Sequence, residues 1–216
     1  MSAAPALLEP EVRDAASFAA RTGASPAQMA DLERFHAMLV DWNGRMSLVS
    51  TASLAEFWPR HAFDSAQLLD ALPHARVWVD IGTGAGFPGL VLAILLKGQS
   101  GARVHLVESQ AKRCRFLAEV AEALDLPAEA HHARAEALAL KADAVTARAV
   151  APLTRLLTFA QPYMARGAVG LFPKGQSAEA EVAEAREAWR FTCNIIASRS
   201  DPGGRILKLE GLARAR

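Results

Sequence analysis

The stretch Val77-Trp-Val-Asp-Ile-Gly-Thr-Gly-Ala-Gly-Phe-Pro-Gly-Leu90 decides the fold. Val77 to Asp80 reads as a short strand, Gly82-Thr-Gly84-Ala-Gly86 as a turn, and Pro88 to Leu96 as a helix. A glycine-rich turn between a strand and a helix, with an acidic residue ending the next strand, marks a nucleoside-binding α/β fold. The glycines let the backbone turn tightly and approach a ligand that a Cβ would exclude. The next apolar run, Val104-His-Leu-Val-Glu108, ends in that acidic residue, and Glu108 is placed to accept hydrogen bonds from both hydroxyls of a ribose. The spacing separates two ligand classes. A dinucleotide turn, G-x-G-x-x-G, would put its third glycine at position 87, which is Phe87; the glycine comes one residue earlier. The helix then opens on Pro88, which has no N–H to offer a pyrophosphate. Asp80 is unwelcome beside a diphosphate and welcome beside a cationic aminoacyl sulfonium. Spacing and charge therefore favour S-adenosylmethionine over NAD, with a nicotinamide-dependent oxidoreductase as the other enzyme class to weigh.

Outward from the turn, short apolar runs alternate with helical patterns. After Glu108 comes a helix carrying Phe116, Leu117, Val120 and Leu124, then a weaker strand at Pro127 to Ala133. Ala144 to Ala147 and Ala168 to Phe172 read as further strands, and the Ala/Glu-rich stretch Ser177 to Ala188 as an exposed helix. Such alternation implies a mostly parallel sheet covered on both faces. The end differs: Phe191 to Ala197 and Arg205 to Leu209 flank Asp201-Pro-Gly-Gly204, an antiparallel hairpin. Before residue 76 the pattern is helical. Ser25-Pro26-Ala27-Gln28 is a capping box with proline at the first helical position. Met29, Leu32, Phe35, Leu39 and Val40 follow at helical spacing, with Gly44 as the stop, and a second amphipathic stretch runs from Ser65 to Leu72. The expected organisation is an N-terminal helical cap, residues 1–75, with 1–24 as a flexible leader, and an S-adenosylmethionine-binding domain, residues 76–216.

The 216 residues carry a formal net charge of only +1, so a case for nucleic acid must rest on local Arg and Lys clusters. Half the residues are apolar, a globular composition. Cys114 and Cys193 lack metal-ligand spacing and read as reduced, buried thiols. Glu9, Glu11, Arg13 and Asp14 interrupt any secretory signal. The longest apolar run, Phe87 to Leu96, is about half of the ~20 residues a spanning helix needs. No membrane association and a cytoplasmic location are expected. His131-His132 shows no acidic or cysteine partner at metal spacing and reads as incidental; no metal is expected.

Asp80-Ile-Gly-Thr-Gly-Ala-Gly-Phe-Pro-Gly89, Glu108-Ser, Lys112-Arg113, Arg134-Ala-Glu136, Arg148-Ala149 and Lys174-Gly175 resemble the RsmG family, also called GidB. Trp42-Asn43, Leu48-Val-Ser50 and Arg60-His-Ala-Phe-Asp64-Ser65 continue the match, which runs from about residue 25 to the end. The family methylates a guanine N7 in the 16S RNA of the bacterial small ribosomal subunit. The resemblance implies a Rossmann-like class I methyltransferase fold of seven strands with a helical cap. It also implies a donor site of Gly82, Gly84, Gly86, Glu108, Ala135 and Glu136, with Ala135 and Glu136 beside the adenine; Asp80 and an apolar wall from Phe87 join them. One departure is Ser47, where the family usually has asparagine. A monomer acting on 16S RNA within the small subunit is expected.

Guanine N7 carries a free lone pair at neutral pH, so its methylation needs alignment rather than a general base, and alignment can supply ~7–11 kcal/mol. Arg148, just past the fourth strand, lies where such folds meet their substrates and is the candidate to position the guanine or a flanking phosphate; pairing with a carboxylate such as Asp143 is the structural alternative. Lys112, Arg113 and Arg115 crowd the start of a helix against its macrodipole, which suggests phosphate contacts for Lys112 and Arg113 and leaves Arg115 evenly divided between phosphate and solvent. Lys174, after the fifth strand, is a similar RNA-binding candidate. His61 and Asp64, at i,i+3, either close the donor site or fix the cap to the sheet. Another methyl acceptor, and a non-catalytic RNA-binding role, stand as the remaining alternatives.

Overall fold

The computed structural model describes residues 11–138 and 140–215. Its centre is a seven-stranded sheet in the order β3-β2-β1-β4-β5-β7-β6. The strands are β1 (Val77–Ile81), β2 (Arg103–Glu108), β3 (Ala128–His132), β4 (Ala144–Thr146), β5 (Val169–Lys174), β6 (Trp189–Ala197) and β7 (Arg205–Arg214). The first five run parallel, and β7 pairs antiparallel with both β5 and β6, so the expected terminal hairpin is present.

The helices divide by face. On one face lie α5 (Gly89–Leu96) and α6 (Ala111–Ala123), with the cap outside them; on the other lie α7 (Leu153–Met164) and α8 (Ala178–Ala188). Every residue of α5 is buried. A helix apolar all round is stable only when covered on all sides. Here the sheet covers one side and the cap the other, which explains the long apolar run at Phe87 to Leu96.

The cap comprises α1 (Ala15–Thr22), α2 (Pro26–Arg45), α3 (Thr51–Ala55), a π-helix (Phe57–Phe63) and α4 (Asp64–Ala71). The Ser25/Gln28 capping box is formed, a feature worth roughly 1 kcal/mol. The apolar face of α2 is Leu32, Phe35 and Leu39; Val40, read with that face, is turned away and 47% exposed. One apolar cluster joins cap residues Phe18, Phe35 and Phe57 to Trp78 and Leu106 of the sheet and Phe116 of α6. Polar ties reinforce the seam: Gln28 donates to the Leu95 carbonyl (2.8 Å), and Lys97 pairs with Asp31 (2.9 Å).

The leader expected at 1–24 takes a different form where it is described. Asp14 caps α1 in a capping box, and Phe18 is fully buried against Trp58. The physical reason is a single aromatic anchor on a short capped helix, a signal too brief for periodicity to reveal. Residues 1–10, including Glu9, lie outside the described residues. At the departure from the family pattern, Ser47 is exposed, and the amide oxygen of Asn43 accepts from Leu48 and Val49 N–H to hold the turn. Both cysteines are free thiols; Cys114 is buried and Cys193 half-buried. Among the described residues, no helix is long and apolar enough to cross a membrane.

Candidate functional site

The carboxyl ends of β1 to β5 meet at one edge of the sheet, where ligands of open α/β sheets bind. Gly82, Gly84 and Gly86 follow β1 with φ of 64°, 57° and 94°, a backbone region that L side chains rarely adopt. The Gly82 N–H donates to the Val107 carbonyl (2.8 Å), and this bond draws the turn toward β2. There Glu108, nearly buried, accepts from the N–H of Gly84 (3.1 Å) and of Gln110 (2.8 Å). A carboxylate has about four lone-pair sites; beside these two backbone bonds and a long 3.5 Å bond from the rotatable Ser109 hydroxyl, Glu108 keeps capacity for ligand hydroxyls.

Asp80 sits beneath the turn, fully buried. Its Oδ2 accepts from the Thr83 hydroxyl and from the Gly89 N–H (2.8 Å), which fastens both ends of the turn. A Cβ on Gly89 would stand 2.7 Å from that oxygen and 2.3 Å from Leu106, so glycine is required for the approach. Asp80 Oδ1 is buried without a hydrogen bond, as is the hydroxyl of Thr146, its register partner on β4. Burial pushes the Asp80 carboxyl up to about 7, against the lowering pull of its Thr83 and Gly89 bonds. The Arg148 charge also lowers it, by less than those two bonds. A further positive charge nearby favours the ionised carboxyl; the aminoacyl sulfonium of S-adenosylmethionine suits Asp80, its ribose hydroxyls suit Glu108, and the residues present fit that group. Ala135, which is buried, and Glu136, which is exposed, form the short 3-10 turn Ala135–Ala137 after β3. The Ala135 carbonyl is held by the Tyr163 hydroxyl (2.6 Å).

Beyond the donor turn a cleft of about 920 Å³ opens along the same edge. Its lining includes Arg60, His61, Arg148, Val150, Lys174 and Ser200. The loop after β4 lies directly on the turn: a Cβ on Gly82 would come within 2.8 Å of Val150 Cγ2. In the same loop Ala149 holds φ 56°, a strained value for a residue with a side chain.

Arg148 is gripped from the cap. One guanidinium nitrogen donates to the Arg60 carbonyl (2.9 Å) and to Asp64 (3.3 Å); the other donates to His61 Nδ1 (2.7 Å). Arginine only donates, so His61 Nδ1 accepts and its Nε2–H donates to the Ser53 hydroxyl (2.6 Å). Burial, reinforced by the Arg148 charge, pushes the His61 imidazole down to about 3 and keeps it neutral. The Phe87 ring stacks on His61 at 4.4 Å, and the Arg148 guanidinium sits 5.2 Å from its centroid. The carboxylate beside Arg148 is thus Asp64, not Asp143, which instead accepts from the Arg76 and Val77 N–H groups.

The predicted residues separate into groups. Asp80, Gly82, Gly84, Gly86, Glu108 and Ala135 come together at the donor edge. Phe87 is drawn instead into the cap, packed among His61, Phe35 and Phe57, because the turn directs the residue after Gly86 away from the sheet edge. Lys112 and Arg115 are exposed at the start of α6, and Arg113 is half-buried. Lys174, expected as an RNA contact, lines the cleft but is engaged within the protein. Its ammonium is held by Glu181 (2.7 Å) and by the Ala151 carbonyl (2.9 Å) and is largely sequestered, so its charge is neutralised within the protein. Sequence reasoning missed Ser53 and Ser200. Ser200 bonds Asp64 from the β6–β7 turn (2.8 Å), 136 residues away along the chain, and no local pattern signals that contact.

A tRNA methyltransferase of B. subtilis, TrmK, superposes with a TM-score of 0.52 at 14% identity, over 68% of this chain and 65% of that one. A SAM-dependent methyltransferase from Aquifex aeolicus gives 0.50 at 15% identity, over 68% and 90%. These likenesses establish the fold as that of class I methyltransferases. The ribosomal RNA small subunit methyltransferase G of Caulobacter vibrioides is 57% identical over 97% of both chains, and that of Methylorubrum populi 48% identical over 85% of this chain and 88% of its own. The family model GidB, described as rRNA small subunit methyltransferase G, matches residues 28–199. With near-complete relatives at this identity and a glycine turn, acidic strand end and capped cleft in one place, the chain belongs to the rRNA small subunit methyltransferase G family.

Proposed function

We propose that this protein transfers a methyl group from S-adenosyl-L-methionine to N7 of a guanine in 16S ribosomal RNA. The observation that carries the reading is the abutment of two sites: the donor turn at Gly82 touches the Val150 loop, whose neighbour Arg148 lines the cleft. S-adenosylmethionine supplies an electrophilic methyl group on a sulfonium. Glu108 would hold the ribose hydroxyls, the Ala135–Glu136 turn the adenine, and the buried carboxylate of Asp80 would balance the donor's positive end. Thr83 and Gly89 keep Asp80 in place, so the donor meets a rigid floor. Guanine N7 presents its own lone pair, so the protein's contribution is orientation and charge placement.

Arg148 acts as a positioning residue, because its hydrogen bonds go to His61, Asp64 and Arg60 and it is therefore held by the cap. The exposed Lys112 and the half-buried Arg113 at the mouth of the donor edge are the phosphate-contact candidates. The substrate context is an RNA within the small ribosomal subunit, and the location is the cytoplasm. A monomer fits the surface: among the described residues the exposed large apolar side chains are Val40, Val150 and Ile195, on separate elements. The test is transfer of labelled methyl from S-adenosylmethionine to small subunits from cells lacking their rRNA base methylations, with stripped rRNA in parallel. Label at a single guanine as 7-methylguanine is the expected result. Donor binding without label on either RNA would discard the rRNA acceptor.

A further inference from the structure

Away from the donor edge, β2 and β3 bring together residues that the sequence separates. His105 pairs in register with Glu129, and Val107 with His131, so His105, Glu129 and His131 point to the same face of the sheet. His105 Nδ1 lies 3.0 Å from His131 Nε2. Glu129 offers Oε2 at 3.8 Å from His105 and Oε1 at 3.9 Å from His131. Among the described residues this is the group whose ligand atoms all fall within 4.8 Å of one another. His131 thus has an acidic neighbour, Glu129, two residues before it on the same face of β3, and a second imidazole, His105, across on β2.

We propose that His105, Glu129 and His131 form a binding site for a divalent transition-metal ion of the zinc type, distinct from the methyl-transfer site. In a tetrahedral zinc site, bonds of 2.0–2.2 Å place ligand atoms about 3.3 Å apart. The three separations here bracket that value, so small side-chain rotations suffice. Two imidazoles and one carboxylate suit zinc or its neighbours and suit magnesium poorly, because magnesium demands an octahedral oxygen shell. The two imidazoles are largely buried, whereas Glu129 is 52% exposed and leaves an entry path and an open coordination position for water. Arg103 contacts Glu129 at 3.2 Å, but both are exposed, and such a pair is easily displaced. A bound ion would clip the edge strand β3 to β2 and so steady the Ala135–Ala137 turn that follows it.

The test is calorimetric titration of the full chain with Zn²⁺, with Mg²⁺ as the control and Co²⁺ absorption as a spectroscopic readout. One equivalent of Zn²⁺, a tetrahedral Co²⁺ spectrum and no Mg²⁺ binding are expected. His131→Ala and Glu129→Gln should each weaken Zn²⁺ binding by more than about tenfold, since even the loss of outer-shell partners costs that much. Both positions lie on an edge strand, and Glu129 is exposed enough for its variant to fold. His132→Ala should leave binding unchanged, because His132 is exposed and bonds instead to the Ser109 carbonyl. Absence of saturable Zn²⁺ binding, or binding that survives both Glu129→Gln and His131→Ala, would overturn the site.

Discussion

Replacement of Arg148 by alanine tests the claim that this arginine joins the cap to the methyltransferase edge. The side chain is 20% exposed and makes three hydrogen bonds, to His61, Asp64 and the Arg60 carbonyl, while its guanidinium stands over Phe87. A hydrogen bond to a charged group contributes about 1.5–3 kcal/mol when its partner is buried, and a partly desolvated cation–π contact about 1. The contributions are not additive: Asp64 keeps Ser200 and Gln67 as donors, and His61 is relieved of a neighbouring positive charge. A net loss of about 3 kcal/mol follows, which for a chain of this size lowers Tm by roughly 6–12 °C. Urea unfolding followed by tryptophan fluorescence measures it, with Trp58 in the cap and Trp78 in the sheet as reporters. The variant should also raise the His61 pKa from about 3, because Arg148 is the second cause of its depression; burial, the first, keeps it below 6.5. A stability within about 0.5 kcal/mol of the parent, or an imidazole that titrates unchanged by NMR, would refute this tie between cap and edge and return Arg148 to the surface.

Donor affinity should rise with pH and level off above about 7: the donor's cation favours ionised Asp80, so binding below that pH must release the proton that burial retains. Asp80→Asn should flatten this profile, as measured by calorimetry across pH 5.5–8.5; an unaltered slope would separate Asp80 from the donor. His61, depressed in the folded state and ordinary in the unfolded one, contributes stability present above about 6.5 and lost as pH falls toward 3. A urea midpoint constant from pH 7 to 4 in the parent, after correction with His61→Gln, would contradict that. Gly82→Ala combines a strained φ of 64° with a 2.8 Å clash against Val150, so it should cost about 1–3 kcal/mol and reduce transfer at least tenfold. Wild-type transfer would show that the Val150 loop can retreat freely. Alanine at both Lys112 and Arg113 should lower the salt dependence of RNA binding, by about 1.4 in log–log slope if each contacts a phosphate of single-stranded RNA. An identical slope would place both in solvent.

The donor edge was legible in the chain because its determinants are local. Glycine spacing, a carboxylate ending each of two strands and alternating apolar runs are set by neighbours within about ten residues, and backbone sterics act at that range. Hence Asp80, Gly82, Gly84, Gly86 and Glu108 emerged in register, and the parallel sheet with its terminal hairpin followed from periodicity and turn chemistry. Family resemblance added the cap and the acceptor.

What tertiary structure alone decided were the pairings between residues of different elements. The ammonium of Lys174 is neutralised by Glu181, from the next helix; Arg148 is claimed by Asp64 rather than Asp143; and Phe87 turns into the cap. His131 finds His105 through the β2–β3 register. A side chain's charge state and availability depend on which surfaces are buried against it, and that burial is settled by packing among residues 7 to 136 positions apart. A one-dimensional pattern fixes which face a residue occupies within its own element, but not what stands opposite that face.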